Sequence, residues 1–327
     1  MDWNTRPILT LLGLVVIPVG LIALIVTGER AIRAIRRRTR DRVRPWLWLV
    51  PALVLSSAVL VYPTIMTVYY SFLDAKSEDG VGFDNYTWVF TDDAMHSVLG
   101  NNLLWLIVCP VVTLALGVLV AVLTDRVRYE KLATAVIILP VAISFVAAGV
   151  IWQLMYSYQP PGTAQTGTLN ALWTSVVPGA EPKAWLADES VNNYALIFIA
   201  VWMNLGLATI ILSAALKGIP AEWYEAARVD GANEWQVFRR ITLPALWPTI
   251  AMVGTTLLIF TLKVFDVVYV MTNGNFHTDV VANRVYSELF VAQNFGHASA
   301  VSVVLFIAAA PVLVLNIRSF RREEATR

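Results

Sequence analysis

Seven stretches of this chain run apolar for about 20 residues, the length at which a helix crosses the hydrocarbon core of a bilayer. They are Ile8–Val26, Trp46–Tyr70, Val98–Leu123, Leu132–Tyr156, Tyr194–Leu216, Pro248–Met271 and Ala298–Ile317. Only 14% of the 327 residues are charged and 57% are apolar, with a mean hydropathy of +0.64. A soluble domain carries about 25% charge, so the composition excludes an ordinary soluble fold. Prolines fall within these runs at Pro18, Pro51, Pro63, Pro110, Pro140, Pro248 and Pro311. Helix bundles tolerate them because neighbouring helices re-satisfy the freed backbone groups. The first run is longer than a signal-peptide core and is followed by arginines instead of a small-residue cleavage site, so it is expected to stay in the membrane. The expected fold class is an all-α integral membrane protein of about seven transmembrane helices.

Basic residues set the orientation, because short cytoplasmic loops accumulate them. Nineteen of the 24 lysines and arginines fall in one alternate set of loops: Arg30 to Arg44, Arg126 to Lys131, Lys217 to Arg240, and Arg318 to Arg327. The opposite set holds only Arg6, Lys76, Lys183 and Arg284, and Lys263 lies inside a span. The N-terminus is therefore expected outside and the C-terminus in the cytoplasm. The arginine-rich run at 30–44, with Ile32 and Ile35 three apart, reads either as an amphipathic helix on the anionic inner leaflet or as a topology signal alone. The net charge of +1 is scattered over loops, which gives no basis for nucleic-acid binding.

Between the fifth and sixth apolar runs lies a polar insert, EAARVDGANEWQVFRRITLPALWP, residues 225–248. Pro220 suits a helix start, and Glu222 and Glu225 favour the early turns, where the helix dipole is positive. Ala226 and Ala227 give high helix propensity with almost no side-chain bulk. Asp230-Gly231 ends that helix, with glycine where a left-handed residue is wanted. Asn233 and Gln236 have capping-box spacing, Trp235, Phe238 and Ile241 recur at intervals of three, and Leu243-Pro244 is expected to stop the second helix before the next span. The insert thus reads as a two-helix hairpin on the cytoplasmic face. Residue chemistry leaves it as an amphipathic loop resting on the bilayer or as a docking knob for a partner.

The order E-A-A-x-x-D-G-A followed by F-x-x-I-x-L-P-x-x-x-P resembles the EAA loop of binding-protein-dependent ABC importer permeases. It is carried here by Glu225, Ala226, Ala227, Asp230, Gly231, Ala232, Phe238, Ile241, Leu243, Pro244 and Pro248. Further stretches, PALVLSSAVLVYPTIMTVYYSF, LPVAISFVAAGVIW, SAALKGIPAEW and LKVFDVVYVMTNG among them, are similar to carbohydrate importer permeases of the maltose type, and details of the last are similar to the α-glucoside branch. The resemblance covers roughly residues 46–320 and implies a six-helix permease core, with the EAA loop at 219–248. Residues 1–45 would then be an extra helix and a basic linker, and 321–327 a cytoplasmic tail.

The resemblance implies a permease that does no covalent chemistry and sits in the bacterial cytoplasmic membrane. It implies two ATP-binding cassette ATPase subunits that bind ATP and Mg, a second permease subunit completing the pathway, and an extracytoplasmic sugar-binding protein. Glu225, Ala226, Ala227, Asp230 and Gly231 would form the knob that docks on the ATPase. The chain has no G-x-x-x-x-G-K-[ST] of its own, consistent with nucleotide bound by a partner. Aligned on SAALKGIP and MTNG, the family's sugar contacts fall near Met203, Asn204, Leu207, Thr261 and Val264; the apolar members depart from the polar residues expected there. That departure fits either the weaker-binding half of a heterodimer or a preference for another sugar.

Ionisable groups within spans are costly and need a reason. Lys263 and Asp266 are three apart, as a helical ion pair would be; they read as a self-neutralising structural pair or as a pathway-facing sugar contact. Asn204 reads as helix–helix glue or as a sugar contact, and Trp152 and Trp202 as packing or as stacking surfaces. The 157–193 and 74–96 loops are where a delivering protein would dock. A secondary transporter or channel is the alternative class, but Lys263 and Asp266 are the only ionisable residues within spans to serve ion coupling. Cys109 stands alone, and His96, His277 and His297 lack metal spacing, so no metal site or intramembrane enzyme is expected.

Overall fold

The computed structural model describes residues 37–125 and 127–325, together with 19–20, 23 and 26–30. Most of the first expected span, Ile8–Val26, and most of the arginine run before Arg37 lie outside the described residues, as do Arg126 and the last two residues. Among the described residues the chain is helical, with no strand beyond an isolated bridge between Leu73 and Gly80. It divides into two compact units, Met1–Tyr69 and Tyr70–Arg327.

In the first unit α1 (Arg37–Ser56) passes through a π turn at Ser57–Val61 into α2 (Tyr62–Tyr70), giving a span at Asp41–Tyr70. Arg44 pairs with Glu29 at 2.9 Å. Trp46, Trp48, Leu53, Val59 and Leu60 are exposed along it.

The second unit is built on α4 (Asp93–Thr124), which follows the short α3 (Asp84–Thr91), packed along α8 (Asn192–Lys217). Its principal core gathers Trp105 and Cys109 of α4, Leu196 and Ile199 of α8, and Val267 and Val268. Helix α11 (Leu243–Leu262) crosses both, and α14 (Phe295–Ala325) lies along α11. Outward-facing side chains such as Leu103, Ile107, Val111 and Leu119 stay exposed, as lipid-facing residues do. A short helix, α7 (Thr168–Val176), lies in the long 157–191 connection.

Five described helices are long and apolar enough to cross a membrane: Asp41–Tyr70, Asp93–Thr124, Asn192–Lys217, Glu234–Leu262 and Phe295–Val312. Two expected spans need correction. Leu132–Tyr156 is not a straight rod: α5 (Glu130–Ile138) and α6 (Phe145–Met155) are bent by 103°. Between them Pro140 sits in a 3-10 turn, Ile143 is extended, and the Ser144 hydroxyl caps α6 by accepting from the Ala147 N–H at 3.2 Å. A proline followed by a capping serine ends one helix and starts another. Gly206 lies close under the break, where an added Cβ would stand 2.6 Å from the Ile137 carbonyl oxygen.

Pro248–Met271 also differs. The helix ends at Leu262, and the chain resumes as α12 (Asp266–Met271). Asn102 of α4 fixes this break: its amide donates to the Leu262 carbonyl at 3.2 Å and its oxygen accepts from the Val281 N–H at 3.0 Å. Val281 opens α13 (Val281–Tyr286), which continues into a π turn at Ser287–Val291.

Candidate functional site

The polar insert folds as a hairpin whose ends are set by local chemistry. Helix α9 (Ala221–Val229) begins just after Pro220, which takes the cap position rather than the first helical one. It closes in a Schellman motif: Gly231 has φ +78°, its N–H donates to the Arg228 carbonyl at 3.1 Å, and the Ala232 N–H donates to the Ala227 carbonyl at 2.9 Å. The next helix, α10 (Glu234–Val237), carries a complete capping box. The Gln236 N–H donates to the Asn233 side chain at 2.9 Å, and the Asn233 N–H donates to the Gln236 side chain at 2.8 Å. Two consecutive motifs thus satisfy the backbone of the turn without outside help, which makes it self-supporting.

The expected stop at Leu243-Pro244 does not occur. A π turn at Phe238–Thr242 joins α10 to α11, so Glu234–Leu262 runs as one helix of 29 residues. Pro244 falls in the first turn of α11, just past the widened turn. Proline harms a helix through its missing N–H and its clash with the preceding turn, and this position lessens both.

The hairpin is open to its surroundings. Glu225, Ala226, Asp230 and Gly231 are exposed, Ala227 and Ala232 are half-buried, and Val229 is 87% exposed. Beneath it a crevice of about 430 Å³ is lined by Val122, Asp125, Tyr224, Glu225, Arg228 and Phe238. Phe238 is half-buried and stacks on Trp235 with ring centres 5.7 Å apart. Leu243 is half-buried and Pro244 exposed. Lys217, at the end of α8, forms an ion pair with Glu130 at the start of α5.

The candidates within the membrane helices separate into two groups. Met203, Thr261 and Val264 are buried, Met203 and Val264 in the principal core. The Thr261 hydroxyl donates to the Leu257 carbonyl at 2.7 Å. Asn204 is half-buried, with its amide donating to the Ala200 carbonyl of its own helix at 2.8 Å, and Leu207 is 47% exposed. Trp152 and Trp202 are packed edge to face, 5.6 Å apart. Lys263 and Asp266 do not share a helix face as expected. The break at Val264–Phe265 separates them, both are exposed, and they form no ion pair with each other. Lys263 instead borders an apolar cleft of about 380 Å³ between α11, α13 and α14.

Sequence reasoning missed a set of asparagines that fasten the 272–281 loop. Asn101 donates to the carbonyls of His277 and Asp279 at 2.7 and 2.9 Å, and Asn192 donates to that of Phe276 at 2.7 Å. Asn193 donates to the Asn101 oxygen at 3.2 Å and accepts from the Trp105 indole at 3.3 Å. The loop needs such support, because Asn273, Gly274, Phe276 and His277 all have positive φ. The adjacent Asn-Asn pairs at 101–102 and 192–193, each beside an apolar run, were the available signal. Next to this loop Asp279 and Glu288 flank Arg284 at 3.2 and 3.6 Å, and Glu288 lies 3.6 Å from His297, which stacks on Trp88. Burial holds the Asp279 carboxyl above its usual range, opposed by the Asn283 amide and the Arg284 charge.

Residues 87–321 match the family model described as "Binding-protein-dependent transport system inner membrane component". The chain belongs to this family. It is a permease component of a binding-protein-dependent ABC importer, a membrane transport protein. The osmoprotective compounds uptake permease protein GgtC of Synechocystis is 49% identical over 281 residues, covering 86% of this chain and all of the relative. The alpha-glucoside transport system permease protein AglF of Rhizobium meliloti is 42% identical, covering 88% of this chain and 85% of the relative. In structure the permease resembles a chain of a bacterial ABC transporter involved in the import of the acidic polysaccharide alginate. The TM-score is 0.73 at 25% identity, covering 88% of this chain and 99% of that one.

Proposed function

We propose that this permease forms half of a carbohydrate pathway and takes its driving force through the 219–248 hairpin. The observation that carries this reading is the geometry of the hairpin: exposed, closed at its turn by its own caps, and continuous with a membrane helix. Such a knob suits a groove on a cytoplasmic ATPase, whose two copies hold the ATP and Mg. Glu225, Ala226, Ala227, Asp230, Gly231 and Ala232 make its surface, while Phe238, Leu243 and Pro244 make its base. A second permease completes the pathway, and an extracytoplasmic sugar-binding protein delivers the cargo. Closure of the ATPase dimer rocks the helices between inward-open and outward-open states, a rigid-body transition. The charge asymmetry of the loops supports an N-terminus outside and the hairpin in the cytoplasm of a bacterial cell.

The name of the AglF relative supports the cargo as an α-glucoside or another small oligosaccharide. Asn204, Leu207, Lys263 and Asp266 are the reachable path candidates; Met203, Thr261 and Val264 would contribute by shaping the wall. The test is co-purification. Tagged permease should bring down its ATPase, and Glu225→Lys with Gly231→Val should lose it while still inserting in the membrane. Retention of the ATPase and of sugar uptake by the double variant would refute the coupling role.

A further inference from the structure

We infer that Phe265, Tyr269 and Tyr286, with the Asp266 carboxylate, form a saccharide-stacking subsite where α11 breaks into α12; this rests on the carbohydrate reading above. The rings form a continuous cluster. Phe265 and Tyr269 stack at 5.1 Å with planes 21° apart, Tyr286 meets them at 5.6 and 4.9 Å, and Phe290 extends the set 5.0 Å from Tyr286. Unlike a core cluster it is open: Tyr269 is 37% exposed and Phe290 64%.

Two rigid backings hold it. Val267, Val268 and Met271 bury the rear of α12 in the principal core, leaving Asp266 and Tyr269, three apart, on the exposed face. Across from them Asn283, Arg284 and Glu288 are fixed by Asp279 and His297. That anchors the element from which Tyr286 and Phe290 project. The two phenol oxygens lie 3.3 Å apart, so one hydroxyl can bond the other and still offer lone pairs outward.

The chemistry matches a pyranose, which has an apolar C–H face and a rim of hydroxyls. Aromatic faces take the first, and a carboxylate with phenol groups takes the second, the mixture typical of small-molecule sites. Asp266 is exposed and has no cation partner among the described residues. A lipid-facing patch would not carry an unpaired carboxylate, and the buried centre of a subunit interface is depleted of charge. Both considerations favour a hydroxylated ligand over a lipid or the second permease.

The assembled transporter in detergent can be probed by saturation-transfer NMR with maltose and sucrose. The wild type is expected to transfer saturation to pyranose protons. Tyr269→Ala should weaken the transfer at least fivefold, and Asp266→Asn should raise the half-saturating sugar concentration at least threefold. Tyr286→Phe, which keeps the packing, should show a smaller rise. Undiminished transfer in both Tyr269→Ala and Asp266→Asn would overturn the subsite. So would loss of the second permease from Tyr269→Ala on size exclusion, which would make the patch a subunit interface. Uptake into proteoliposomes separates the two levels: wild-type uptake with indifferent variants overturns only the subsite, whereas a wild type that takes up no sugar overturns the carbohydrate reading itself.

Discussion

Replacing Gly231 separates the two things this residue is proposed to do. Its φ of +78° lies where an L-residue brings Cβ against its own backbone, at roughly 1–2 kcal/mol. Nothing else obstructs the site, since a Cβ there would meet no atom within 4 Å. The folding cost is therefore set by backbone preference and not by volume. Gly231→Ala should lower the closed-to-open ratio of the turn by about 5- to 30-fold relative to wild type. Gly231→Val should be at least as severe, and Gly231→Asn milder, because asparagine tolerates the left-handed region. Hydrogen exchange at the Gly231 and Ala232 amides, the donors that close the turn, reads this order directly. Coupling should follow a different order. If a partner packs on this surface, Gly231→Asn will keep its turn protected yet still depress sugar-stimulated ATP hydrolysis, because its side chain stands in the contact. Wild-type coupling in Gly231→Asn would refute close docking at this glycine, and unchanged exchange in Gly231→Ala would refute the conformational argument.

Two further substitutions test the frame. Gly206→Ala would place a methyl 2.6 Å from the Ile137 oxygen and 2.8 Å from the Ile138 Cα. Because both are backbone atoms, the expected cost is about 1–3 kcal/mol, seen as a lower melting temperature, with Gly149→Ala milder because its nearest atom belongs to the Val270 side chain. Asn102→Leu preserves volume but strands the Leu262 carbonyl and the Val281 N–H, at about 1–3 kcal/mol for each buried group. Faster hydrogen exchange at Val281 and destabilisation greater than for Asn101→Leu are expected, and equal stability to wild type would count against the bond.

The features legible in the sequence are those decided within a few residues. Gly231 and the Asn233/Gln236 pair specify their motifs locally, and apolar runs locate membrane helices whatever their partners. The break after Leu262 was hidden because its cause, Asn102, lies 160 residues away in the chain. The bend at Leu139–Ser144 had a proline and a serine to announce it, but the apolar run around them masks a change of direction. Pro244 misled for the opposite reason: a π turn, which periodicity does not reveal, carries the helix past it. The spacing of Lys263 and Asp266 suggested a pair only on the assumption of an unbroken helix. The reachable candidates among the membrane helices were not separable from the packed ones by residue type, since Thr261 is buried while Leu207 is exposed.

The uninterrupted helix from Glu234 to Leu262 has a mechanical consequence. Its 29 residues amount to about 43 Å at the ordinary rise per residue. Under the coupling proposed above it would act as a lever arm, with the hairpin at one end and Thr261 near the other. A tilt of about 10° would swing the far end by about 7 Å over that length, comparable to the width of a sugar ring. The break at Val264–Phe265 then acts as a joint where the arm stops. On that proposal, motion entering at the base would widen the pathway wall, while the loop fastened by Asn101, Asn192 and Asn193 would hold its shape.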